Sequence, residues 1–111
     1  MIDSATEKDH RVPGAFRLAD DASHWVFDGA LTFDTVEAVM EATIGLPLPA
    51  SGRIDLGGLE PADSSALAAL FALKRRARAE QKRLAFEGIP PGLASLARVY
   101  GVDELLSVDH S

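Results

Sequence analysis

"RIDLGGLEPADSSALAALFALKRRARA", Arg53 to Ala79, changes its period partway along, and that change decides the fold. Residues 53–59 alternate in character, as a short strand does, and end on two glycines. From about Ser64 to Gln81 the apolar spacing becomes helical. On a wheel turning about 100° per residue, Ala66, Leu70, Leu73 and Ala77 share one narrow sector, with Leu67 on its flank. That stripe is what a helix needs in order to lie on a sheet. A second sector, about 60° wide by the same geometry, holds Ser64, Ala68, Phe71 and Arg75, with Ala72 and Arg78 beside it. A helix packed on a sheet has no use for a second such face, so this one calls for its own explanation.

Small residues, one aromatic and then arginines make a surface able to receive another protein closely, anchored by Phe71 and Arg75. Two plainer explanations stand beside it. Phe71 folds over the sheet edge or against a neighbouring helix, and the alanines reflect helix propensity. The wheel does not separate these readings. The serines also have a local explanation, because Asp63 and Ser64 are both residues that cap a helix N-terminus by accepting a bond from an orphan N–H. A phosphate on either serine would meet the favourable end of the helix dipole but would lie beside Asp63.

Working outward, "GAFRLAD" (14–20) reads as a strand with Phe16 and Leu18 on one face. Asp20 and Asp21 supply a turn. "SHWVFDGAL" (23–31) is its hairpin partner, with Trp25 and Phe27 pointing one way and His24, Val26 and Asp28 the other. "TFDTVEAVMEATIG" predicts a helix capped by Asp34, with Val36, Val39, Met40 and Ile44 on one face. Gly45, Pro47 and Pro49 end it. "KRLAFEGI" (82–89) predicts a strand. Pro91 opens a helix over 92–101 with Leu93, Leu96, Ala97 and Tyr100 as its stripe, and "VDELL" (102–106) adds one helical turn. The order is β-β-α-β-α-β-α. An antiparallel hairpin followed by crossovers predicts an α/β fold: a small mixed sheet with helices packed on it, in a single domain over 14–111 behind a flexible tail, 1–13.

The chain has 111 residues, 47% of them hydrophobic, enough for one core. It contains no cysteine, so disulfides, thiolate metal sites and a cysteine nucleophile are excluded. The polar N-terminal stretch lacks the apolar segment of a signal peptide, and no run approaches the roughly 20 apolar residues of a membrane span. A cytoplasmic protein, held at a membrane only through a partner, is expected. The net charge of −6 argues against a general nucleic-acid binder. Yet Lys74, Arg75, Arg76, Arg78, Lys82 and Arg83 account for over half of the 11 basic residues. This cluster is either a solvated helix end suited to the negative pole of the dipole or a docking surface for an acidic partner.

A catalyst has little to build on. His10 and His110 lie in the tails and His24 starts a strand, so no pair has metal-binding spacing. The nucleophile-elbow, Walker and dinucleotide-binding patterns are absent. "LGGLEPADSS" has a strand–loop–helix look but lacks the lysine and glycine spacing of a phosphate cradle. The carboxylates show no pairing suited to acid–base work. No enzymatic activity, metal or cofactor is expected.

The junction "RIDLGGLEPADSSALAAL" resembles the signature of STAS domains: a strand ending in a hydrophobic-Asp-Leu run, a short loop, then D-[ST]-x-[GA]-L at a helix start. Asp55, Asp63, Ser64, Ala66 and Leu67 match it. The resemblance extends from about Trp25 to Leu106. The second half is most similar to the small MlaB type, with its basic helix end and a closing L-x-x-L-A-x-x-Y-G-V and Leu pair. Here those positions are Leu93, Leu96, Ala97, Tyr100, Gly101, Val102, Leu105 and Leu106.

The resemblance implies a cytosolic accessory subunit of an ABC transporter that moves phospholipids between the bacterial inner and outer membranes. Such a subunit binds the transporter's ATPase and neither binds lipid nor hydrolyses ATP. It also implies that the contact centres on Ser64. The roles of Ala68, Phe71 and Arg75 come from the wheel alone. The alternative within the same superfamily is an anti-sigma factor antagonist, whose phosphorylatable serine matches Ser65 and whose partner is an anti-sigma factor kinase. "DSSA" is close to the "DSSG" of that class, whereas Ala66 in place of glycine and the C-terminal half depart from it. A third class, a small-molecule-binding STAS sensor, has no pocket signature in this sequence.

Overall fold

A computed structural model describes residues 14–19 and 23–106. Alternating side chains build its first two strands. In β1 (Ala15–Leu18) Phe16 is buried and Arg17 exposed, and in β2 (Trp25–Leu31) Trp25 and Phe27 are buried while Asp28 is exposed. The two pair antiparallel, Phe16 opposite Phe27 and Leu18 opposite Trp25. On the inner face Phe16 meets both aromatics, its ring centroid 4.6 Å from Phe27 edge-on and 5.4 Å from Trp25. The hairpin turn expected at Asp20 and Asp21 lies outside the described residues, as do the tail, His10 and His110.

Helix α1 (Val36–Thr43) leads to β3 (Arg53–Ala62), then α2 (Ser64–Ala79), β4 (Ala85–Glu87), α3 (Pro91–Val99) and a 3₁₀ turn at Asp103–Leu106. Both crossovers pass through a helix, so β2/β3 and β3/β4 pair parallel in a sheet of order β1-β2-β3-β4. The fold is the mixed α/β arrangement that the sequence predicts. The inner face of the sheet and the helices share one core. Its fully buried residues include Trp25, Phe27, Ile54, Leu56, Leu70 and Leu93. The other face of the sheet carries the pairs Arg17–Asp28 (3.5 Å) and Arg53–Glu87 (3.8 Å), both solvent-exposed and worth little to stability.

Strand β3 runs three residues beyond the sequence expectation and is irregular. Val26 pairs with Asp55 but Asp28 pairs with Gly58, so β3 carries an extra residue there and again before Ala62. Its buried positions accordingly skip from Leu56 to Leu59. Gly58 suits the bulge, since a Cβ there would displace the Asp28 carboxylate and crowd the Phe27 carbonyl. Gly52 has φ +76°, and a Cβ would run into the Arg83 carbonyl, beside the bond from Ala85 N–H to Gly52 O (2.8 Å) that starts β4. Gly52→Ala should therefore lower stability by about 1–2 kcal/mol from the left-handed backbone alone. Urea denaturation followed by circular dichroism checks this.

Four expectations are corrected. Asp34 does not cap α1, because Thr35 occupies that position. Its buried hydroxyl accepts from Thr32 N–H (3.0 Å) and donates to Ala30 O (3.1 Å), stitching the helix start to the end of β2. Ile44 is not core. The helix ends at Thr43, and Thr43 completes the stripe with Val39, its hydroxyl donating to Met40 O at 2.7 Å so that it can be buried. Ile44 stays 77% exposed. Tyr100 likewise follows the last turn of α3 and is largely exposed, and Leu105 and Leu106 of the 3₁₀ turn are buried instead. The last strand is also shorter than 82–89, because the chain turns through Gln81 (φ 60°) before it can pair.

Candidate docking face

Helix α2 divides its sides as the wheel predicts. Ala66, Leu67, Ala69, Leu70, Leu73 and Ala77 are buried on the sheet. Ser64, Ala68 and Arg75 are exposed, Ala72 is half-buried and Arg78 is exposed. Phe71 is 39% exposed, neither tucked into the core nor fully projecting.

Asp63 fixes where this face begins. It stands at the N-cap in an extended conformation, and its Oδ1 accepts from Ser65 N–H at 2.8 Å. Its Oδ2 accepts from Phe33 N–H at 2.9 Å, so the same carboxylate clamps the loop before α1 to the start of α2. Partial burial opposes its charge. The bonds from the Phe33 and Ser65 N–H groups and from the Ser65 hydroxyl outweigh that and hold its pKa below the ordinary 3.8. With the folded-state pKa lowered, the unfolded chain binds more protons as pH falls. The stabilisation is thus complete above the ordinary value and lost as pH drops through 3.8 toward the lower folded value. Asp63→Ala should cost about 1 kcal/mol at neutral pH, up to about 2, and should flatten the loss of stability below about pH 4. Urea midpoints from pH 3 to 7 check both.

The two serines differ. Ser64, the first helical residue, is exposed, whereas Ser65 is half-buried with its N–H and hydroxyl directed at Asp63. The basic cluster is not one surface either. Arg76 donates to Thr43 O (2.9 Å), Leu46 O (2.7 Å) and Glu80 (3.1 Å), so it ties the end of α1 to α2. Lys74 Nζ lies 5.6 Å from the centre of the Phe86 ring, within cation–π range. Arg75, Arg78, Lys82 and Arg83 remain exposed. Asp55 has a local role, its Oδ1 accepting from Gly57 N–H at 2.8 Å in the β3 bulge.

Sequence reasoning did not find Phe33, which is 80% exposed and held beside the α2 cap through its backbone. Its only signal was a large apolar residue outside any periodic stripe. It also missed that Arg76 is a structural tie rather than a surface charge. Among the described residues, no group of three His, Cys, Asp or Glu is placed to hold a metal ion, and no helix is long and apolar enough to cross a membrane.

A four-stranded mixed sheet, its first pair antiparallel and the rest parallel, backed by helices, is the arrangement of a STAS domain. The family model described as "Mlab, STAS domain" matches residues 15–107, and the chain belongs to that family. A search of the curated proteins finds no match to it. Domains of this family serve in general as non-enzymatic accessory and interaction modules.

Proposed function

We propose that this protein is a cytoplasmic accessory subunit that binds and supports the ATPase of a phospholipid-transporting ABC transporter, docking through the outer face of α2. The observation that carries the reading is the exposed strip Ser64, Ala68, Phe71 and Arg75 on a helix whose opposite side is already filled by the core. Membership of the MlaB-type family supports the class of partner. Ser64 is the proposed centre of the contact because it is exposed at the start of the strip. Peripheral association with the inner membrane then follows through the transporter rather than through any insertion of this chain.

The rival reading, an anti-sigma factor antagonist switched by phosphorylation of Ser65, requires a kinase to reach a half-buried serine whose N–H is tied to the Asp63 cap. Affinity capture of the wild-type protein from its native host, with mass-spectrometric identification, separates the two. Recovery of an ABC ATPase is the expected result. Recovery of an anti-sigma kinase, with an added phosphate on Ser65 after incubation with it, would overturn the proposal.

A further inference from the structure

Beside the α2 face, a trough of about 600 Å³ lies between α1 and α2. Val36, Met40, Ile44, Ala72 and Leu73 give it an apolar floor, and Glu37 and Glu41 stand along its α1 wall. We infer that this trough is the second half of the docking surface and receives a basic amphipathic segment of the same partner, an inference that rests on the docking function proposed above.

Continuity supports it first. Asp63 caps α2 and accepts from Phe33 N–H, so the exposed Phe33 is held beside the Ser64 turn, three residues before Val36, which begins α1 and lines the trough. Along that wall Ile44 is 77% exposed and Val36 and Met40 are only partly covered. Charge then selects the occupant. Glu37 and Glu41 are exposed one turn apart, and among the described residues neither makes an ion pair. Arg76, the cation in the lining, already donates to two carbonyls and to Glu80. The trough therefore presents apolar surface beside uncompensated negative charge, which suits bulky apolar side chains flanked by Lys or Arg and repels an acidic segment. Those same Arg76 bonds hold the end of α1 against α2, so the trough exists before anything binds and little ordering is needed on association.

The test uses the free, ¹⁵N-labelled protein and two designed amphipathic peptides of about 14 residues, roughly four helical turns, one of Leu and Lys and one of Leu and Glu. The Leu/Lys peptide should shift amide signals around Phe33, Met40, Ile44 and Ala72, and the Leu/Glu peptide should leave them in place. Ile44→Glu, and separately the pair Glu37→Lys with Glu41→Lys, should each weaken binding by about tenfold or more, equivalent to about 1.4 kcal/mol. All three positions are exposed, and a dispersed spectrum confirms that each variant is folded.

Sensitivity to the glutamates without sensitivity to Ile44→Glu would reduce the effect to surface adsorption and overturn the inference. The same shifts on raising protein concentration alone would assign the trough to a second copy. Equal shifts with dodecyl maltoside would assign it to a neutral amphiphile. If the Leu/Lys peptide fails while Ser64→Asp still abolishes ATPase capture, the trough is refuted and the α2 face stands. If the peptide binds as described but capture ignores Ser64→Asp, the α2 face is refuted instead.

Discussion

Ser64→Asp should leave a folded domain and reduce recovery of the ABC ATPase by at least about a hundredfold. At the first position of a helix a carboxylate is favoured by the dipole, which offsets its repulsion by the neighbouring Asp63, and Ser64 is exposed, so the free protein should lose little stability. At the centre of an interface the same carboxylate is buried without a partner. An unpaired buried charge costs about 3–5 kcal/mol, which is roughly two to three and a half decades in affinity. Arg75→Glu should behave in the same way, since it reverses an exposed charge on the same strip. Ser64→Ala is the control and should retain most binding. Quantitative capture of each variant, with thermal melts of the free proteins, measures the two effects separately. A hundredfold loss accompanied by an unchanged melting temperature is a result that misfolding does not produce.

Trp25→Ala should produce the largest loss of stability at any single position considered, about 3–5 kcal/mol. Trp25 is fully buried, packs against Phe16, and donates its indole N–H to Pro47 O at 2.9 Å. It thereby fastens the proline-rich connection after α1 onto β2. Truncation removes the aromatic packing and opens a cavity under that connection. Trp25→Phe keeps most of the apolar volume and should lose only the hydrogen bond, about 1 kcal/mol. Domains of this size are stable by about 5–15 kcal/mol, so the alanine variant sits close to the limit of folding. Because Trp25 is the one tryptophan of the chain, urea unfolding has to be followed by far-UV circular dichroism rather than fluorescence.

Much of the fold was legible in the sequence because most elements satisfy one period over their whole length. The helical stripe from Ala66 to Ala77 and the alternation through Trp25 and Phe27 are complete patterns, and each is buried as read. The misreadings cluster where an element ends. Ile44 and Tyr100 continue an apolar stripe on paper, yet the helices stop one residue earlier, and Thr43 and the Leu105–Leu106 pair take the buried places. Boundaries of this kind are fixed by hydrogen bonds, such as those from the Thr35 hydroxyl to Ala30 O and from Arg76 to Thr43 O, which no apolar period records. The extra residues in β3 were likewise hidden, because a bulge is a relation between two strands and the glycine pair shows only that one is permitted.

At the candidate site the exposed strip of α2 was legible for the same reason as its buried one. The clamp from Asp63 to Phe33 and the consumption of Arg76 by backbone carbonyls were not, since both join residues about 30 positions apart. These long-range bonds turn a helix face into a wider surface with Phe33 at its edge.

Site-specific photocrosslinking in the native host tests the docking face most directly. The protein is made with Phe71→benzoylphenylalanine on the outer side of α2 and, separately, with Arg17→benzoylphenylalanine on the open face of the sheet, both exposed positions. Capture of the ABC ATPase by a crosslink from position 71 and not from position 17 is the predicted result. An ATPase crosslink from position 17 alone, or a crosslink from position 71 to a partner of another class, would contradict it.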